Sequence, residues 1–338
     1  MNAETKHKPV NYKTISSSEN TLAAIYQPIR HELSLVEQEI AGVCAYMRKA
    51  GSHPEPLQTG GKRIRPALLL LSSLFGKEPG QDAIRLAAAV EILHLATLVH
   101  DDLIDESSNR RGQPTINKQW GNNAAILAGD YLYALLLEYT AGYEKSIIAA
   151  LATALRNMVQ AELLQLNFQY NCDITEKDYI RRIFLKSGSF LSCCCVIGAI
   201  LSGAPAYVQR ALVRYGCFLG IAFQLKDDLL DFQGNMDYMG KPVAQDLKQG
   251  VLTLPVIYAL KNSPEKKLIR SLIENKDLTA THLREIVKEF ANCGALSYSL
   301  GIAERYTYLA GRALAAIPAN EAKKSLEALL DFIILRQK

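Results

Sequence analysis

Residues 100–112, HDDLIDESSNRRG, set Asp101, Asp102 and Asp105 at the end of an apolar run, with Arg110 and Arg111 close behind. On a helix Asp101 and Asp105 stand one turn apart, about 6 Å, and project from one face with Asp102 to the side. Two anions so placed repel each other unless a cation joins them. A single DDxxD could be no more than an acidic helix end in water. FQLKDDLLDF repeats it: Asp227, Asp228 and Asp231 follow 126 residues later (227 minus 101), again where an apolar segment ends. The repeat makes coincidence a poor account. Carboxylates without His or Cys are hard oxygen donors and suit Mg²⁺, which keeps several waters and is shared with substrate phosphates. Two such clusters facing each other across a bundle would clamp a diphosphate. The rival, a di-iron bundle, needs Glu-x-x-His pairs, and only Glu91 with His94 has that spacing.

A diphosphate clamp also requires positive charge. GGKRIRP supplies Lys62, Arg63 and Arg65 beside a Gly pair, Arg110 and Arg111 follow the first aspartates, Lys186 lies in RRIFLKSGSF, and Lys241 lies in GNMDYMGKPVAQDLKQG. Arginine forks match phosphate oxygens bidentately and lysine adds point charge. Any one of these is usually a solvated surface charge; alongside two aspartate clusters they read as a set.

The elements that carry these residues are helices. Ala, Leu, Glu, Gln, Lys and Arg dominate, apolar residues recur at three- and four-residue spacing, and alternating β-branched runs are almost absent. The pattern predicts an all-α fold with helices over about 20–49, 64–76, 81–106, 122–141, 145–169, 175–202, 205–233, 250–262, 264–275, 279–294, 296–316 and 320–337. Pro66 suits a first helical turn. No Pro- or Gly-rich linker divides the chain, so residues 20–338 read as one large bundle after a flexible tail, 1–19. The long connector from Gly234 to Gly250 has the length of a functional loop.

Composition excludes other classes. The chain has 338 residues, 49% of them hydrophobic, enough for a substantial core. A net charge of +4 with no dense basic block gives no reason to expect nucleic acid. Seven cysteines without CxxC spacing argue against a disulfide framework or a zinc site, and fit reduced thiols in the cytoplasm. The first twenty residues show no secretory pattern. The apolar stretch from Phe190 to Pro205 is shorter than a membrane span and reads as a buried helix. No amphipathic anchor stands out, so membrane association is expected to be transient at most.

The motifs GGKRIRP, LVHDDLIDESSNRRGQPT, AELLQL, LKSGSF, FQLKDDLLDF and GKPVAQDLKQGVLTLP resemble those of the trans-prenyl diphosphate synthases, or polyprenyl synthetases, over roughly residues 20–337. The resemblance implies a helical fold of the isoprenoid synthase type and repeated addition of isopentenyl diphosphate to an allylic diphosphate. It implies Mg²⁺, three ions with bound diphosphate, and a homodimer or a pair with a small accessory subunit. Position by position, it implies Asp101 and Asp105 as metal ligands with Asp102 in support, and Asp227 as the main second ligand assisted by Asp228 and Asp231. Lys62, Arg65, His94 and Arg111 match the isopentenyl diphosphate side. Arg110, Lys186, Ser187, Gln224 and Lys241 match the allylic side, Gln165 matches a glutamine lining the reacting centre, and Asp246 matches an aspartate that steadies the loop. Lys186, Ser187, Gln224 and Gln165 are thus the expected catalytic set.

Two departures stand out. Val251 occupies the place of a common Lys, and Ser187-Gly188 replaces Thr-Ala while keeping the hydroxyl. Ala96 and Thr97, five and four residues before Asp101, lie where short-chain relatives commonly carry a blocking aromatic. Their small side chains, with Leu93 a turn below, predict an open channel and a product of about C30 to C40, heptaprenyl-like, suited to a quinone side chain. The alternatives are a short-chain farnesyl or geranylgeranyl diphosphate synthase and a class I terpene cyclase. A cyclase would lack the GGKRxRP site and would carry Asn, Ser and Glu in its second motif; a non-catalytic subunit would have eroded aspartates.

Overall fold

The computed structural model describes residues 18–49, 61–78, 80–232 and 244–336. The expected tail, apart from residues 18 and 19, and Lys241 lie outside the described residues. Among the described residues the protein is all-α except for one two-stranded hairpin. The principal helices are α1 (Ser18–Ile25), α2 (Arg30–Lys49), α3 (Ile64–Ser73), α4 (Gly80–Ile104), α5 (Ile116–Trp120), α6 (Asn122–Thr140), α7 (Lys145–Asn167), α8 (Glu176–Ile183), α9 (Ser189–Leu201) and α10 (Ala206–Leu230). They continue as α11 (Gln245–Lys248), α12 (Leu254–Asn262), α13 (Lys266–Glu274), α14 (Ala280–Asn292), α15 (Ala295–Leu314) and α16 (Glu321–Leu335).

Most boundaries fall close to the spacing-based expectation, and the differences have local causes. The first expected helix is split by a 3₁₀ turn, Gln27–Ile29, because Pro28 lacks the N–H that a continuous helix needs there. The segment expected as one helix over 175–202 holds a π-helical turn, Phe184–Gly188, between α8 and α9. Such turns insert an extra residue and often mark functional positions; this one carries Lys186 and Ser187. Residues 251–253 are not helical, following a turn at Gly250, and α12 begins at Leu254, with Pro255 in its first turn.

Helix α4 is apolar nearly all round, and from Ala83 to Ala96 most of its side chains are fully buried, which suits a helix surrounded by others. It packs on α2, α3 and α6 in the larger of two apolar cores. Helix α10 runs between that core and a second one built from α8 and α12 to α15. Phe190 to Ala199 on α9 is buried, as expected. Among the described residues three segments are long and apolar enough to cross a membrane by length and composition: Gly80–Ile104, Lys145–Asn167 and Glu176–Leu201. The first and third are mostly buried inside the protein, whereas α7 leaves Val159, Leu163 and Leu166 exposed.

Glycine sets the closest approach. A Cβ on Gly220 would lie 2.5 Å from the Ser187 carbonyl oxygen, so only glycine lets α10 meet the π turn there. Gln224, one turn further along α10, is thereby brought against Ser187.

Candidate active site

Both aspartate motifs sit at the C-terminal ends of their helices, with Asp101 and Asp102 in the last turn of α4, Asp227 and Asp228 in that of α10, and Asp105 and Asp231 just beyond. The partial negative charge of a helix C-terminus disfavours carboxylates, so the sequence places its anions where cations are most needed. Asp101 and Asp227 line one cavity of about 890 Å³. Lys62, Arg65, His94, Arg110, Arg111, Lys186, Ser187 and Gln224 line it too.

Local backbone aims the cations. Arg63 adopts a left-handed conformation (φ 48°) just before α3, turning the Lys62–Arg65 segment toward the cavity. Arg110 lies on strand β1 (Asn109–Arg110), paired antiparallel with β2 (Gln113–Pro114). Arg111 and Gly112 both have positive φ, the pattern of a tight type I′ hairpin. Arg63 itself is spent within the fold: it donates to Glu91 at 2.7 Å and to Glu37. Arg65 stacks over Phe190 at 5.1 Å, and its buried Nε has no protein partner.

The aspartates divide by environment. Arg110 holds Asp102 through two hydrogen bonds of 2.7 Å. Asp227 faces the large cavity and pairs with Arg336 at 2.6 Å. Asp228 is buried; it accepts hydrogen bonds from Tyr179 at 2.7 Å and Gln224 at 2.9 Å, while Ser187 donates to Gln224 at 2.7 Å. Asp105 and Asp228 line a smaller adjoining cavity of about 80 Å³ with Gln165, Lys186, Asp246 and Val251. Asp231 accepts from the backbone N–H groups of Gln245 and Asp246, fastening the returning loop rather than facing either cavity.

Desolvation dominates the electrostatics. Burial raises Asp101 to about 7, with Glu162 and Asp105 adding to the rise against the pull of Lys186. Burial next to Asp228 and Asp231 raises Asp246 to about 8. Asp105, Asp227, Asp228 and Asp231 are raised as well, burial being the largest cause in each. Burial pulls Lys186 down, but Asp101 and Glu162 outweigh it and hold the ammonium charged; it rests 2.6 Å from Glu162. Burial, then Arg65 and Arg111, lowers His94 well below its ordinary range, so it stands as a neutral imidazole.

Among the described residues no three His, Cys, Asp or Glu side chains form a self-sufficient metal cage. Magnesium seldom requires one: it takes one or two carboxylates and completes its shell with water and phosphate oxygens. Hard carboxylates reluctant to ionise alone, from two helix ends on one cavity rich in Lys and Arg, fit that ion.

The chain-length residues separate. Thr97 lines the cavity, but Ala96 and Leu93 are fully buried in the core and outside its lining, because Ala96 is rotated about 100° from Thr97 around α4. Met158, Val159, Leu163, Leu166, Leu98 and Ile104 supply the apolar wall. Glu162 and Arg336 also face the cavity and were not singled out by motif or spacing. Glu162 lies within AELLQL, three residues before Gln165; Arg336 has no local signal.

The polyprenyl synthetase family model matches residues 52–290. Over 299 residues the chain is 36% identical to heptaprenyl diphosphate synthase component 2 of Bacillus subtilis, covering 88% of this chain and 85% of that protein. It is equally, 36%, identical to geranylgeranyl diphosphate synthase of Saccharolobus solfataricus, covering 82% of this chain and 87% of that protein. A decaprenyl diphosphate synthase structure from Rhodobacter capsulatus superposes with a TM-score of 0.87 at 33% identity, covering 94% and 99% of the two chains. With this fold, two aspartate motifs and a shared cationic cavity, the chain belongs to the polyprenyl synthetase family. It is a prenyltransferase of the trans-prenyl diphosphate synthase type.

Proposed function

We propose that this chain is the catalytic subunit of a Mg²⁺-dependent synthase that extends an allylic diphosphate with isopentenyl diphosphate to about C30 to C40, for a quinone side chain. The observation that carries this reading is the single cavity lined by both Asp101 and Asp227 together with Lys62, Arg65, Arg110, Arg111 and Lys186.

In this reading Lys186, Arg110, Gln224 and Ser187 hold the allylic diphosphate, and Lys62, Arg65, Arg111 and neutral His94 hold isopentenyl diphosphate. Asp101, Asp105 and Asp227 would hold Mg²⁺, which supplies charge stabilisation for the departing diphosphate. The Tyr179–Asp228–Gln224–Ser187 chain fixes the Gln224 amide before substrate arrives and leaves its second N–H for the leaving group, whereas the single Ser187 O–H, now given to Gln224, turns from it to reach the diphosphate. Lys186 and Arg110 add fixed positive charge where that oxygen departs. Buried Met158 and Phe190 on the lining keep water from the reacting carbons, leaving the isopentenyl double bond as the nearest nucleophile.

Long product length is supported by the small Thr97 side chain on the lining and by the heptaprenyl and decaprenyl names among the relatives. The geranylgeranyl relative supports the short-chain alternative. A partner chain, a second copy or a smaller subunit, is supported by the words "component 2" in one relative's name and by exposed Leu127, Leu137, Val159 and Leu163 on α6 and α7. Seven free cysteines support the cytoplasm as its site of action, with the membrane met only when product is delivered. The test is incubation with labelled isopentenyl diphosphate, farnesyl diphosphate and Mg²⁺, followed by dephosphorylation and chromatography. EDTA-sensitive label at C30 to C40 is expected; label stopping at C20 would establish the short-chain alternative, and farnesyl diphosphate consumed alone would point to a cyclase.

A further inference from the structure

Arg336 stands just past α16, and its side chain is 3% exposed. One nitrogen, Nη2, serves both Asp227 at 2.6 Å and the Phe223 carbonyl at 3.0 Å. The guanidinium lies 4.1 Å over the Phe223 ring, and its Nε is buried without a protein partner. It lines the same cavity as Lys62 and Arg65. Lys62 reaches over Phe332, one turn back on α16, at 5.7 Å, so α16 braces the Lys62 segment as well. Asp227 is shared: besides pairing with Arg336 it supports the Lys62 ammonium, which is disfavoured first by burial and next by Arg336.

We propose that Arg336 couples the two substrate sites by exchanging partners: it holds Asp227 before ligand enters, and turns to the isopentenyl diphosphate when that site fills. The inference rests on the function proposed above. Its physical basis is charge balance. A buried guanidinium or carboxylate left alone is costly, so Asp227 and Arg336 neutralise each other until better partners arrive. A metal-bound allylic diphosphate competes for the Asp227 oxygen that Arg336 now occupies, and a dication beside a guanidinium repels it. An incoming isopentenyl diphosphate offers Arg336 a bidentate acceptor next to Lys62 and Arg65. The Phe223 ring is a surface on which the guanidinium can turn while keeping its cation–π contact, and the unused Nε is a donor ready for phosphate. Each ligand thus removes a cost that the other would otherwise meet, and the coupling is reciprocal.

Calorimetry on the full chain tests this with isopentenyl diphosphate and the non-ionising farnesyl S-thiolodiphosphate, both with Mg²⁺. In the wild type each ligand should bind at least about fivefold more tightly when the other is present. In Arg336→Gln the coupling should fall to about onefold, with the thiolodiphosphate alone binding no more weakly than to wild type. Arg336→Lys, which keeps charge but loses the fork, should recover part of the coupling. Wild type without coupling, or Arg336→Gln with coupling intact, would overturn the proposal even if both ligands bind. Should Arg336→Gln fail to fold by circular dichroism, full wild-type coupling in Arg336→Lys would overturn it instead. A wild type that binds neither ligand would sink the proposed function along with it.

Discussion

Arg110 grips Asp102 through two hydrogen bonds of 2.7 Å each, whereas Asp101, one residue away, faces the cavity with its carboxyl raised to about 7. Adjacent aspartates of one motif therefore contribute to the protein in opposite ways. Asp102 stabilises the fold and fixes an arginine; Asp101 costs stability when ionised and is held ready for a cation.

Substitution separates the two. Asp102→Asn breaks a mostly buried ion pair and should lower stability by about 1–3 kcal/mol, read as a lower melting temperature. Asp101→Asn removes a carboxylate that the fold strains to ionise, so at pH 8 its melting temperature should match or exceed that of wild type while Mg²⁺-dependent diphosphate binding is lost. Equal destabilisation by both would contradict the division of roles.

The raised carboxyls also set a pH dependence. Asp101 at about 7 and Asp246 at about 8 bind protons more tightly in the folded chain than in the unfolded one, where an aspartate titrates near 4. Folding therefore takes up protons between those limits, and stability falls as pH rises through this window. Without metal the melting temperature should drop between pH 6 and 8.5, and Mg²⁺ with pyrophosphate should restore most of the loss. A flat profile would remove the electrostatic account of the site.

The placement of Ala96 changes which residue is informative about product length. Phenylalanine at Ala96 would overpack a closed core and should cost about 1–3 kcal/mol. Thr97 lines the cavity, so Thr97→Phe should shorten the main product by one or more isoprene units with little loss of stability. Chromatography of dephosphorylated products decides it: an unchanged length distribution in Thr97→Phe would exclude this wall as the limit.

Gly220 offers a test of preorganisation. Its missing Cβ admits the Ser187 carbonyl. Gly220→Ala should push the π turn away, lengthen the Ser187–Gln224 hydrogen bond, and raise the KM for the allylic diphosphate about tenfold while the KM for isopentenyl diphosphate stays near its wild-type value. Equal changes in both constants would point to general loosening of the bundle.

Much of this arrangement was legible in the residues. The repeated DDxxD, the GGKRIRP cations and three- and four-residue apolar spacing are local patterns, and they point to the helices, the paired motifs and most of the cations on the cavity lining. Longer-range choices were not. Spacing cannot say that Asp231 gives its oxygens to the Gln245 and Asp246 N–H groups, or that Arg63, on the cavity lining, is tied to Glu91 and Glu37. Glu162 hides on a helix whose other side chains on the large cavity, from Met158 to Leu166, are apolar. Arg336 meets Asp227 across more than a hundred residues of chain, and no period in the sequence records that pairing.

In the function proposed above, Asp101 and Asp227 together grip one diphosphate in the cavity they both line. Calorimetric titration of pyrophosphate in the presence of Mg²⁺ tests it on wild type, Asp101→Asn, Asp227→Asn and the double variant, without requiring turnover or a partner chain. Each single substitution should weaken binding at least about tenfold, and the double should lose less than the sum of the two, as expected for residues sharing one ligand. Full-strength binding in Asp227→Asn, or strictly additive losses, would mean that the two motifs serve separate sites.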